Sequence, residues 1–279
     1  INILNYKKIK NKIKNFKPNY LMHLAAYSHV DNSISGPKQF LKVNIEGTFN
    51  LLEAIRNIRK ENKLPSDFKF HLISTDEVYG SLKKDGFFSE LSKLDPKNPY
   101  SASKASAEHL LRAWGNTYDI PYIISNCSNN YGPYQHPEKL IPKIIICGLM
   151  DKNIPIYGSG KNIRDWLHVN DHAEALFKIS KNGKISENYN VGGSNELTNI
   201  YIAKKICKLL DKKLNKKKSH LNLIEYVGDR PGHDFRYAIN PKKITEKIKW
   251  KPKIKFDVGL SSTIDWYLEN RNWWKKSFK

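Results

Sequence analysis

Two short segments of this 279-residue chain carry side chains whose types and spacing can do chemistry. The first is Tyr100-Ser101-Ala102-Ser103-Lys104. It follows Pro99, and the stretch from Tyr100 to Asn116 has no internal proline, so it reads as a helix. Tyr100 and Lys104, four residues apart, then share a helix face. A lysine ammonium near a phenol favours the phenolate, because opposite charge stabilises the ionised form. Such a phenolate can take the proton of a substrate hydroxyl while hydride leaves the same carbon. The plain alternative is a surface Tyr/Lys pair, since the pattern is short and common.

The second segment is Ser74-Thr75-Asp76-Glu77-Val78-Tyr79-Gly80. Phe70 to Ser74 is a short, largely apolar run that reads as a strand, which puts Thr75, Asp76 and Glu77 at its C-terminal end. Ligands of open α/β sheets bind outside the carboxyl ends of the strands. Two adjacent carboxylates there can divide acid and base work if their surroundings push their pKa values apart. Taken alone, Asp-Glu after a strand is a solvated acidic turn. A Tyr/Lys couple serves a simple dehydrogenase; the added carboxylate pair is what an elimination of water needs.

Other elements must position these groups. Asn44 to Lys60 reads as a helix with an apolar face of Ile45, Phe49, Leu52, Ile55 and Ile58, and Pro121 to Cys127 as a strand followed by a loop from Ser128 to Pro133. Lys7 to Lys17 reads as an amphipathic helix with Ile9, Ile13 and Phe16 on one stripe. Tyr20 to Ala25 reads as a sheet strand. The pattern predicts an α/β fold in two lobes, with residues 1–130 and later crossover segments forming one and 131–279 mainly the other.

Composition excludes several classes. The chain is long enough to bury a sizeable core and has no apolar run that could span a membrane. Three cysteines, Cys127, Cys147 and Cys207, show no metal-like spacing, so a reduced, cytoplasmic setting is expected and no metal. His29, His71, His168 and His172 have no metal-ligand spacing either and read as solvated or core-edge histidines. The net charge of +21 raises the question of nucleic acid. Yet 41 of the 48 basic residues are lysines spread along the chain, whereas nucleic-acid readers favour clustered arginine. A solvated, lysine-loaded surface is expected, with no nucleic-acid partner. At most, its positive field speeds the encounter with an anionic ligand.

With these motifs in one order, the chain resembles the dTDP-glucose 4,6-dehydratases, extended short-chain dehydrogenases/reductases. The resemblance rests on His23-Leu24-Ala25-Ala26, Ser28-His29-Val30-Asp31, Ser74 to Gly80, Pro99 to Lys104, Asn126 to Pro133, Pro137 to Pro142, Tyr157-Gly158, Ile163 to Leu167 and Asp229 to Asp234. It implies a Rossmann-type parallel sheet binding NAD, with a smaller C-terminal substrate lobe. It implies that Tyr100 deprotonates the glucose C4 hydroxyl while hydride passes to NAD, with Lys104 as its partner and Thr75 bonded to that hydroxyl. Glu77 would then remove the C5 proton and Asp76 protonate the departing C6 hydroxyl.

By the same resemblance, Leu24, Ala25, Ala26, Ser28, Val43 and Asn130 approach the cofactor. Ser28, Thr75, Asn129, Lys139, Leu140, Pro155, Ile156, Tyr157, Arg164, Asn199, Arg230 and His233 would form the nucleotide-sugar pocket. There Arg164 and Arg230 would fork onto the diphosphate and Tyr157 stack on the base. For Arg164 the alternative is a local ion pair with Asp165. The helices at 44–60 and Tyr100 would pair with a second copy in a four-helix homodimer interface, or simply face their own sheet.

The sequence departs from the family in places. Tyr27, Val43 and Asn2 stand where the family often has glutamate, threonine and aspartate. No G-x-G-x-x-G occurs, although in the family that loop follows the first strand and cradles the pyrophosphate. Tyr20 to Ala25 resembles the family's fourth strand. The expectation is therefore a fragment without roughly the first three strands, its first strand an exposed edge prone to aggregation, and poorly soluble or silent alone. Two other functions remain open: an epimerase or decarboxylase of the same fold, or a non-catalytic sugar-nucleotide-binding remnant.

Overall fold

In the computed structural model, which describes residues 1–276 and Phe278, the apolar runs of the sequence become a parallel sheet. Helix α1 (Tyr6–Phe16) begins at Asn5, whose side chain accepts from the Lys8 N–H. Strand β1 (Tyr20–His23) follows, then α2 (Val30–Ser35) and α3 (Pro37–Phe40). α3 runs through a π-helical segment, Leu41–Glu46, straight into α4 (Gly47–Lys60). Strand β2 (Lys69–Thr75) ends in a 3-10 turn, Asp76–Tyr79, and leads by a long connection to α5 (Pro99–Tyr118) and β3 (Tyr122–Cys127). Beyond these come β4 (Asn129–Tyr131), α6 (Leu140–Leu149), β5 (Ile154–Tyr157), β6 (Ile163–His168) and α7 (Val169–Asn182). β7 (Glu187–Val191), β8 (Glu196–Thr198), α8 (Asn199–Leu214), β9 (Ile224–Val227), α9 (Phe256–Glu269) and α10 (Arg271–Lys275) complete the order.

The main sheet has the order β1-β2-β3-β7, all parallel, with Thr75 level with Cys127 and Cys127 level with Val191. A parallel sheet must be covered on both faces, and alternation along the strands does this. Phe70, Leu72, Tyr122 and Ile124 pack against α1, α4 and α5. Ile123, Tyr189 and Val191 pack on the opposite face against α7 and the segment ending at Trp250. The second lobe holds two small sheets, β4-β6-β8 and β5-β9, around a core of α6, α8 and α9. Because β7 returns to the main sheet, the chain passes more than once between the lobes.

Four expectations change. β1 stops at His23, and Leu24 is 56% exposed beyond it. On α1, Ile9 and Ile13 are buried but Phe16 is 71% exposed, because the helix ends there in a left-handed Lys17. Helical structure begins well before Asn44, and the apolar face of α4 divides. Leu52, Ile55 and Ile58 are fully buried, whereas Phe49 is 40% exposed and lines an open groove with Leu41, Ile45 and Leu110. Finally, Asn129–Tyr131 is not a loop: it pairs with Trp166–His168 and ties the end of β3 to the second lobe.

Candidate active site

The Tyr/Lys couple sits where the first turn of α5 meets β2. Asn98 and Ser101 form a capping box and Pro99 is the first helical residue, so the helix start is strongly fixed. Tyr100 is 8% and Lys104 4% exposed. The Lys104 ammonium donates to the Ile73 carbonyl at 2.7 Å, bolting the helix to the strand. Burial pushes Lys104 down to about 8, a shift opposed by Glu108 one turn further on. The Tyr100 phenol is pushed well above its ordinary range, by burial first and then by the charge of Glu77. Burial and the Glu77 charge thus oppose the phenolate that a neighbouring ammonium would favour, and the Lys104 ammonium is bonded to a backbone carbonyl.

The carboxylates lie in the turn after β2. The Thr75 hydroxyl accepts from the Glu77 N–H at 3.3 Å and closes that turn. Gly80 ends it with φ +88°, and a Cβ there would stand 2.4 Å from the Asp95 carbonyl oxygen, so only glycine fits. Asp76 is 1% exposed with Oδ2 unpartnered. Burial, then Glu77 and Asp165, raises it well above the carboxylate range. Burial also raises Glu77, but Arg164, Arg230 and Lys139 oppose the rise. Burial thus favours the proton on both carboxyls, well above the ordinary range at Asp76, while three cations oppose it at Glu77.

The cleft has two connected parts. The inner cavity, about 320 Å³, brings together Ser28, Thr75, Asp76, Glu77, Tyr100, Asn129, Asn130, Lys139 and Leu140. Asp76 Oδ2, Ser128 Oγ and His172 Nε2 face this region buried and without partners, which fits a polar ligand seated there. The outer cavity adds Pro155, Tyr157, Arg164, Asn199, Arg230 and His233. Asn129 Oδ1, Asn199 Oδ1 and Arg230 Nε are buried there without partners.

Other predicted residues lie elsewhere. Ile156 is 1% exposed, because strand alternation turns it into the second core while Pro155 and Tyr157 face the cleft. Leu24, Ala25, Ala26 and Val43 line neither cavity; the first three follow β1 and Val43 lies in the π segment. Arg164 does not pair with Asp165, whose carboxylate accepts from the Gly193 and Asn195 N–H groups. Its Nη atoms instead donate to the carbonyls of Ile163, Asp234 and Phe235, and the guanidinium lies 4.2 Å from the Tyr237 ring centroid. Arg164 therefore supplies positive charge to the cleft with part of its fork already taken.

Of the four histidines, His29 lies half-buried at the cleft edge and His71, His168 and His172 are buried. His71 is fully buried between Tyr20 and Ser125, and His172 bonds Asn130 Oδ1 at 2.9 Å, orienting that amide. Among the described residues no His/Cys/Asp/Glu group could hold a metal, and no helix is long and apolar enough to cross a membrane.

Sequence reasoning missed three positions. Asn44, turned inward by the π segment, clamps the Tyr27 backbone through both its amide atoms and donates to Ser103 Oγ on α5 at 2.8 Å. Glu108 is fully buried, with one oxygen accepting from Asn126 and the other 3.7 Å from the Arg112 guanidinium without a hydrogen bond. Its spacing was a signal, because Tyr100, Lys104 and Glu108 recur every four residues on one face. Asp31 lies across the cleft from Arg230, and nothing local in the sequence marks it.

The profile of the family described as GDP-mannose 4,6 dehydratase matches residues 1–263. A probable dTDP-glucose 4,6-dehydratase of Sinorhizobium fredii is 51% identical over 96% of this chain and 77% of its own. The dTDP-glucose 4,6-dehydratase of Shigella flexneri is 52% identical over 92% of this chain and 74% of its own. Among solved structures, DesIV, a dTDP-glucose 4,6-dehydratase of Streptomyces venezuelae with NAD and TYD bound, superposes with a TM-score of 0.91 at 36% identity. That match covers 99% of this chain and 80% of DesIV. The chain belongs to this nucleotide-sugar 4,6-dehydratase family.

Proposed function

We propose that the protein dehydrates dTDP-glucose to dTDP-4-keto-6-deoxyglucose, with NAD as the bound hydride carrier. The observation that carries this reading is the unequal carboxyl pair, Asp76 and Glu77, in one buried cavity with Tyr100. When bound, NAD would accept the hydride from C4 and return it to C6.

The chain's own residues do the rest. Tyr100 takes the C4 hydroxyl proton at its phenolic oxygen, and the Thr75 hydroxyl bonds the same substrate oxygen. Removing hydride and proton leaves a 4-ketone, which acidifies the C5 proton. Glu77, whose rise is opposed by three cations, accepts that proton. Asp76, held protonated by burial, donates to the C6 hydroxyl as it leaves as water. Arg230, Lys139, Tyr157 and His233 hold the nucleotide end in the outer cavity. An epimerase on this fold would need Tyr100 but have no use for a protonated acid poised at C6.

The apolar groove of Leu41, Ile45, Phe49 and Leu110 supports assembly as a homodimer through α4 and α5. Phe49→Glu would then yield monomers by sedimentation, and an unchanged mass would remove that assignment. The function is tested by incubating the protein and NAD with dTDP-glucose and with UDP-glucose. A product from dTDP-glucose lighter by one water supports the reading; a product of unchanged mass identifies an epimerase.

A further inference from the structure

The proposed function explains the cations of the outer cavity but not the acid among them. Asp31, in the first turn of α2, reaches across the cleft. One oxygen accepts from Arg230 Nη1 at 2.9 Å and the other from the Tyr157 hydroxyl at 2.9 Å. One carboxylate from the sheet lobe thus holds two side chains of the opposite lobe. A negative group at the mouth of a site for a dianion repels the ligand, so its presence needs a reason.

Arg230 supplies that reason. A guanidinium offers several N–H groups in a rigid fork. Asp31 takes Nη1, while Nε is buried without a partner. The backbone N–H of Arg230 is itself held by Asp229 Oδ1 at 2.9 Å, and the same oxygen bonds His233 Nδ1 at 2.6 Å. The segment is therefore fixed at both ends of the Arg230 side chain, and the buried Nε is among the donors left for an acceptor not supplied by the protein. Anchoring the Tyr157 hydroxyl also sets its ring, which stands edge-on to His233 at 84°.

Resting on the nucleotide-sugar reading above, we propose that Asp31 is a positioning residue of the pocket. It holds Arg230 and Tyr157 in binding geometry from the opposite lobe, and the diphosphate joins Arg230 on its unpaired Nε side without displacing the carboxylate. Binding of thymidine 5′-diphosphate by calorimetry, beside steady-state kinetics, tests this. Asp31→Ala weakens Kd and raises KM by about tenfold or more, the scale expected when charge-assisted bonds that preorganise a site are lost. kcat stays within about twofold, because Asp31 touches no reacting atom. Asp31→Asn recovers part of the affinity, since its amide oxygen still accepts. In an Arg230→Ala background the Asp31→Ala change has much less effect, which a general loss of structure would not produce. Unchanged or tighter binding by Asp31→Ala overturns the proposal, tighter binding showing that the carboxylate competes with the ligand. Failure of the unaltered protein to bind the diphosphate would instead remove the nucleotide reading, and this proposal with it.

Discussion

The two ends of the cleft solve opposite electrostatic problems. At the inner end, Tyr100, Asp76 and Glu77 are desolvated, and Asp76 Oδ2 is left without a partner. At the outer end the charged groups are paired: Arg230 and Tyr157 with Asp31, His233 with Asp229, and Lys139 with the Ser28 carbonyl. Burial favours the proton on Asp76, which must later give it up. Pairing at the outer end holds its side chains in place. The inner end therefore sets rate and the outer end sets affinity, and the two should separate under mutation.

The largest expected effect is at Tyr100. Tyr100→Phe should lower kcat by about 10³-fold or more while nucleotide affinity is kept, as loss of a general acid–base group does. A comparable loss of affinity would break the division between the ends. Glu77→Gln and Asp76→Asn should each cost about 10²–10⁴-fold in kcat. Both should still oxidise C4, detectable as a transient rise in NADH absorbance without dehydrated product. Arg230→Ala should do the reverse, raising KM about tenfold or more with kcat little changed, since it removes binding common to ground and transition states.

The smallest effect sharpens the picture of the inner end. Burial lowers Lys104 to about 8 and the Glu108 charge opposes this. If activity needs the ammonium, it falls as pH rises through that value. Glu108→Gln removes the opposing charge, so the alkaline limb of the kcat/KM profile should move to lower pH. A limb that stays put, or moves up, would show that Glu108 carries no charge felt by Lys104.

The inner end was largely legible in the sequence because its parts are local. A Tyr/Lys pair one helical turn apart and a carboxylate pair after a strand need only secondary structure to meet. The surroundings of the couple were not legible, because the destination of the Lys104 ammonium, the Ile73 carbonyl, depends on how α5 packs on β2. The outer end was read through the resemblance, and most of those residues do line one cavity. Ile156 was the exception a strict period of two along β5 would have caught. The π segment around Asn44 and the strand at Asn129–Tyr131 were missed because neither has an intrinsic signature. One is fixed by contacts to Tyr27 and Ser103, the other by pairing with β6. Asp31 and Arg230 lie on different lobes, and only the folded cleft brings them together.

The central claim is that the buried carboxyl pair carries out an elimination, and one measurement tests it most directly. The protein is incubated with NAD and dTDP-glucose in heavy water, and the product is examined by mass spectrometry and proton NMR. The account predicts a 4-keto-6-deoxy sugar that has lost water and carries solvent deuterium at C5, where Glu77 removed the proton. Asp76→Asn should slow the loss of water by about 10²–10⁴-fold. A product that keeps all its oxygen, with C4 inverted and no deuterium at C5, would contradict it.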